Sequence, residues 1–144
     1  MATNTKAPDH IEFAGDYDCK NIFLHDHTGE KVDILQVTDE LNIYESIYKS
    51  ALTGSIVITD AQNLISKLEI QGMERLSFVI RTPGATDDRD IVNASEISGH
   101  PFHIYKITNR VQIAPGTLRY VLHFGSREFM RNIRTKVSQA YDGR

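Results

Sequence analysis

The chain has 144 residues, 40% of them hydrophobic and 24% charged, with a formal net charge of −3 and no tryptophan. That length suits one domain, and the composition excludes an intrinsically disordered or fibrous chain. Cys19 is the single cysteine, which excludes an intramolecular disulfide framework.

Charge is placed unevenly. From Pro101 onward eight Lys or Arg face only Glu128 and Asp142, so this part carries +6, and the first hundred residues carry −9. Such asymmetry points to partners without naming them. No stretch is long and apolar enough to span a bilayer. The polar start, Met1 to Lys6, has no apolar run behind it and does not read as a signal peptide.

Residues 1–17 read as a flexible N-terminal arm, and 18–144 as one domain. Residues 18–26 predict a strand with Ile22 and Leu24 on one face and Phe23 on the other. Thr28 and Gly29 turn it into a second run, 30–37, where Val32 and Ile34 alternate with Lys31 and Asp33. Two such runs around a glycine turn predict a β-hairpin. Between 38 and 52 the period changes: Leu41, Tyr44, Ile47, Tyr48 and Leu52 lie three and four apart, which predicts a helical turn or two with Thr38 as N-cap. Gly54 ends it. Residues 55–59 predict a strand, and Asp60 is expected to cap a short helix bearing Leu64, Ile65 and Leu68.

Residues 74–82 predict an amphipathic strand with Leu76, Phe78 and Ile80 on one face. Pro83 and Gly84 stop it, and 85–99 reads as a long exposed loop with a short strand near Ile91. Residues 102–113 and 117–124 predict the strongest hairpin, joined through Ala114, Pro115 and Gly116. In its second strand Leu118, Tyr120, Leu122 and Phe124 share a face. Ser126 then caps a helix to about Tyr141, with an apolar stripe of Phe129, Met130, Ile133, Val137, Ala140 and Tyr141. The plan is mostly β (α+β): a small antiparallel β-barrel with short helices and a C-terminal helix.

Chemistry-bearing constellations are sparse. His25 and His27, with Cys19 or His10, are the most suggestive metal ligands, but their spacing matches no established zinc pattern, and a solvated hairpin tip is the preferred reading. His100 and His103 flank Pro101, and His123 is placed to meet His103 across the hairpin. No nucleophile elbow, phosphate loop, dinucleotide fingerprint or zincin motif is present. The expectation is therefore no catalytic residue, no cofactor and no metal. Arg127, Arg131 and Arg134 lie beside the stripe of the terminal helix without interleaved aromatics, which favours a solvated helix face or a salt-bridged contact with a neighbouring subunit over nucleic acid.

Leu41, Ile43, Tyr44, Glu45, Ser46 and Ile47, followed by Leu52, Gly54, Ile56, Ile58 and Asp60, form a pattern that continues through Ile70, Gly72, Glu74, Leu76 and Phe78 and through Arg81 to Gly84. It resumes at the 102–124 hairpin and the helix after Ser126. This pattern resembles the N-terminal domain of baseplate central hub subunits of contractile-tailed phages. The resemblance covers roughly residues 18–141 and implies a β-barrel of tail-tube type. It implies a structural role in a homotrimeric ring whose subunits carry two barrels each. That ring joins the hexameric tail tube to the central spike, beside the baseplate wedge. It also implies a virion component made in the host cytoplasm, with no membrane and no sequence-specific nucleic acid among its partners. Family hubs are longer, so the chain reads as a fragment or a single-domain relative. Asp87, Asp88 and Arg89 in the loop, with Arg127, Arg131 and Arg134, are the expected subunit contacts. The rival reading is a small β-barrel that binds a ligand or nucleic acid.

Overall fold

The computed structural model describes residues 16–72, 74–84, 91–97 and 100–136. In β1 (Asp18–His25) Ile22 and Leu24 are buried, as their alternation predicts. β2 (Lys31–Asp33) returns antiparallel with Val32 opposite Leu24. The Asp26 carboxylate ties the turn between them, its Oδ1 accepting from the Thr28 and Glu30 amides at 2.8 Å each. The run expected over 30–37 stops early, because Asp33 accepts the Leu35 amide at 3.0 Å and opens a 3-10 turn, Leu35–Val37.

The helix expected over 38–52 is absent. Thr38–Tyr44 is β3, antiparallel to β4 (Thr53–Asp60). The sequence there satisfies two periods at once. Leu41 and Ile43 alternate with Glu40, Asn42 and Tyr44, and pairing with β4 gives the backbone a ladder that a short isolated helix lacks. The residues that would have completed the helical stripe, Ile47 and Tyr48, are 92% and 91% exposed. The β3–β4 pair also depends on Gly54, where a Cβ would lie 2.3 Å from both the Asn42 carbonyl oxygen and the Phe124 ring.

Asp60 ties down the start of the next segment, although the N-cap position itself falls on Asn63 and not on Asp60 as expected. Its carboxylate accepts from the Gln62 amide at 2.8 Å and the Leu64 amide at 2.7 Å, holding the single-turn helix α1 (Leu64–Lys67). β5 (Arg75–Arg81) follows and pairs along β1. Its other edge is shared: β7 (Phe102–Ala114) takes Arg75 and Leu76, and the short β6 (Ile91–Asn93) takes Val79 to Arg81. β7 turns through Pro115 and Gly116, whose φ of 76° suits glycine, into β8 (Thr117–Gly125). β7 has thirteen residues and β8 nine: Phe102 lies beyond the β8 ladder and pairs with Leu76 of β5, and the β7–β8 register shifts at three places, Ile104/Lys106, Thr108/Val111 and Gln112/Ala114. Each is a one-residue bulge on β7. The helix α2 (Arg127–Arg134) comes last, with the Ser126 hydroxyl accepting from the Phe129 amide at 3.5 Å.

The strand order is β2-β1-β5-β7-β8-β4-β3, with β6 added on β5. The architecture is thus mostly antiparallel β with a C-terminal helix, but the sheet is not closed into a barrel. Among the described residues β2 and β3 do not pair. β2 has only three residues, and the 3-10 turn, packed against β1 and β4, stands in the seam.

Side chains fill the inside of the curled sheet. Phe78, Phe102 and Phe124 form one aromatic cluster with centroids 4.9–6.3 Å apart, a spacing that adds to their area burial. Around it Leu24, Ile56, Ile58, Leu76, Ile104 and Leu122 are fully buried. The polar members are satisfied: the Tyr120 hydroxyl donates to Asp60 Oδ2 at 3.3 Å, and the Glu74 carboxylate accepts from the Gln71 and Gly72 amides. Burial, reinforced by Asp60, pushes the Tyr120 phenol well above its ordinary range.

Candidate assembly surface

Three outward features stand apart from the core. The first is the free edge of β3, which has no strand partner among the described residues. Asp39 and Glu40 lie along it. Asp39 bridges inward, accepting from Arg119 Nε at 3.2 Å and from the Thr59 hydroxyl at 2.8 Å. Beside the seam a groove of about 440 Å³ is lined by Ile22, Leu35, Leu41 and Ile80, with Cys19 at its margin. Burial raises the Cys19 thiol above its ordinary pKa, so this cysteine is a packing residue with a suppressed thiolate.

The second feature is α2, which lies on the outer face of the sheet. It docks less deeply than its sequence stripe predicts. Phe129 is half-buried, with its ring 5.1 Å from Tyr105 and so close over Gly125 that a Cβ there would sit 2.4 Å away. Ile133, expected to be buried, is 58% exposed. Burial falls off along α2: Phe129 and Met130 are half-buried, and every residue from Arg131 to Arg134 is exposed. Val137, Ala140 and Tyr141 lie outside the described residues.

Arg127, Arg131 and Arg134 are all exposed on α2. Arg127 and Arg134 come near enough to His103 to lower its pKa, together with Arg75, its cross-strand partner; burial of the ring is the larger cause. The helix therefore adds its cations to a basic region at the base of β7. Asp87, Asp88 and Arg89 lie outside the described residues.

The third feature is the β3–β4 loop, where Tyr44, Ile47 and Tyr48 stand in the open. Beside this loop runs a groove of about 490 Å³ between β6 and the start of α2, floored by Leu52, Ala94 and Phe102. The three-and-four spacing of this segment predicted one side of a helical turn; Tyr44 instead ends β3, and Ile47 and Tyr48 lie in the turn after it.

The histidines are arranged differently from expectation. His25 is not at a solvated tip; it is 3% exposed, with Nε2 2.7 Å from the Ser77 hydroxyl. Glu96, in the segment after β6, lies 3.7 Å from its Nδ1 and pairs with Arg75 at 3.0 Å. Burial lowers the His25 pKa; Glu96 opposes this, and Arg75 and Lys31 add to it. His27 is exposed, and His10 lies outside the described residues. Among the described residues no group of three or more His, Cys, Asp or Glu is placed to hold a metal ion. His123 does not reach His103. It bonds Thr108 at 2.7 Å; the register sets Gly125 opposite His103, and the bulge after Ile104 sets Lys106 opposite His123. The His25–Ser77–Glu96–Arg75 set joins positions distant in sequence, and no local pattern announces it.

A scan against models of protein families finds no match for this chain, and a search of curated proteins finds none either.

Proposed function

We propose that this domain is a non-catalytic structural module of a phage tail baseplate hub, contributing to a ring that joins the tail tube to the central spike. The resemblance of residues 41–60, 70–84 and 102–126 supplies the identity of that assembly. The observation that carries the reading is the open sheet: the seven-residue β3 has no strand partner on its outer edge among the described residues. Such an edge is a template for a strand from a neighbour. The exposed arginines of α2, on a chain whose earlier part is acidic, support the same reading through steering of partners into register. The interior, filled by Tyr120, Phe124, Leu24 and their neighbours, favours assembly over the rival of a ligand-holding barrel, which needs a cavity.

The test is co-assembly with tail tube and central spike proteins of a contractile-tailed phage. The parent is compared with a variant carrying Arg127→Glu, Arg131→Glu and Arg134→Glu, and with one in which β3 is blocked by Glu40→Pro. Both variants should lose co-assembly while the arginine variant keeps its melting temperature. Undiminished co-assembly of both, or none with the parent, removes the proposal.

A further inference from the structure

We infer that residues 95–97, which follow β6, are a pH-sensitive clasp: closed, they cover His25 on the outer face of the β1–β5 pair, and a proton on that ring releases them. The inference goes beyond the hub reading and does not depend on it.

His25 is buried on the side of the sheet that faces away from the core. Leu24 and Leu76 pair across β1 and β5 and turn inward, so alternation turns His25 and Ser77 to the outer face. The ring is nevertheless 3% exposed. Its Nε2 meets the Ser77 hydroxyl at 2.7 Å. Its Nδ1 faces the segment after β6, where Glu96 Oε1 lies 3.7 Å away.

That segment is anchored at one end and held lightly at the other. The Ala94 amide donates to the Phe78 carbonyl at 3.0 Å, and the Ala94 side chain is buried, so the β5–β6 ladder fixes the start. Ile97 is fully exposed. Between them Glu96 pairs with Arg75 at 3.0 Å, with both side chains partly exposed, a setting in which an ion pair holds weakly. The geometry is that of a short strap hinged after Ala94 and fastened by one carboxylate.

The two ring nitrogens respond differently to a proton. A serine hydroxyl donates or accepts, so Ser77 suits the ring in either state. The cost of charging therefore falls on the Nδ1 side. Asp26 from the turn after β1, Lys31 from β2, Arg75 from β5 and Glu96 from the strap all act on the ring. The two anions favour the imidazolium and the two cations oppose it. Burial is the largest influence and leaves the closed form with less than the ordinary affinity for a proton. Losing the Glu96 contact, with Ala94 still in its ladder, is the smallest movement that hydrates the ring. Each proton bound then favours the open form by the factor by which the hydrated ring binds protons more tightly. The strap is closed above the ordinary histidine value of 6.5 and opens as pH falls through the lowered one.

Opening changes the surface. Ser95 lines a groove of about 350 Å³ together with Phe23, Ser77 and Val79. Release of 95–97 removes that wall and uncovers the outer face of β1 and β5.

The full chain is titrated from about pH 7.5 to about pH 5 and followed by NMR. The His25 ring signals and the backbone amides of 95–97 are read, with the amides of Ile104 and Leu122 reporting on the core. The ring should titrate with a midpoint below 6.5. Over the same range the amides of 95–97 should lose order by heteronuclear NOE while the core amides stay unchanged. In His25→Gln, which can still bond Ser77 but does not titrate, 95–97 should stay ordered throughout. In Glu96→Gln, at a partly exposed position, the strap should be open already at about pH 7.5, and the His25 midpoint should rise toward 6.5. The inference is overturned if the parent ring titrates while 95–97 stay ordered, if its midpoint lies at 6.5 or above, or if His25→Gln loosens with pH like the parent. It is also overturned if Glu96→Gln leaves the midpoint in place or lowers it, since the ring is then covered without that carboxylate. Should His25→Gln fail to fold, the parent titration and Glu96→Gln decide.

Discussion

The β7–β8 hairpin has a base and a tip made of the same kind of sequence and put to opposite uses. At the base, Phe102 and Ile104 of β7 and Leu122 and Phe124 of β8 are buried in the aromatic core. At the tip, Val111 and Ile113 are more than half exposed, and Gln112 opposite Leu118 is exposed too. Both ends belong to the same bulged antiparallel ladder, so strand pairing does not distinguish them. What differs is whether a second layer covers the apolar side chains. At the base β5, β4 and the opposite wall converge on them, and at the tip only β4 runs alongside. A strand's alternation thus states which residues can be buried together, and tertiary neighbours decide whether they are.

Substitutions should sharpen that contrast. The largest effect belongs to Phe124→Ala, which removes a ring in contact with both Phe78 and Phe102. It should lower unfolding free energy by about 3–5 kcal/mol in urea titrations. A loss below about 1 kcal/mol would mean that the base is no better packed than the tip.

A smaller effect should appear with pH. His25, and His103 at the base of β7, both have pKa values lowered from 6.5 chiefly by burial. The folded state therefore keeps these rings neutral where the unfolded chain takes up protons. Their contribution is complete above the unfolded value near 6.5 and is lost as pH falls from there through the lowered folded values. Urea midpoints should decline from about pH 7.5 to about pH 5.5 in the parent. The decline should be shallower in a His25→Gln, His103→Gln variant, and an equal decline in both proteins would assign it to other groups.

The smallest effects belong to the periphery. Ile113→Thr at the tip and Ile133→Asp on α2 should each shift stability by no more than about 0.5 kcal/mol. For Ile133 this reverses what the helical stripe implies: a variant that unfolded would show that α2 docks along its length.

Much of this fold was legible in the sequence. The β1 alternation, the Asp60 turn, the β5 strand, the short strand at Ile91, the Pro115–Gly116 hairpin and the Ser126 cap each depend on a few neighbouring residues. Local chemistry is enough to state them. The segment 38–52 failed because Leu41 to Tyr48 fits a period of two and a period of 3.6 equally well, and only β4 lying alongside decides between them. Barrel closure was not legible, because it depends on the register of β2 against β3, which no local residue sets. The His25, Ser77, Glu96 and Arg75 set was hidden for a similar reason: it is assembled by the crossing of β1, β5 and the segment after β6.

The three bulges of β7 uncouple chain length from inside–outside phase. On an unbulged strand, losing one residue turns every later side chain to the wrong face. On β7, Tyr105 is the surplus residue between Ile104 and Lys106, and similar surpluses fall within 109–110 and at Ile113. Removing any one of them would straighten the strand locally and leave Ile107, opposite Leu122, pointing inward as before. The hairpin thus has three positions at which insertions and deletions are absorbed as curvature, so its reach and bend can vary between related chains while the core at its base stays the same.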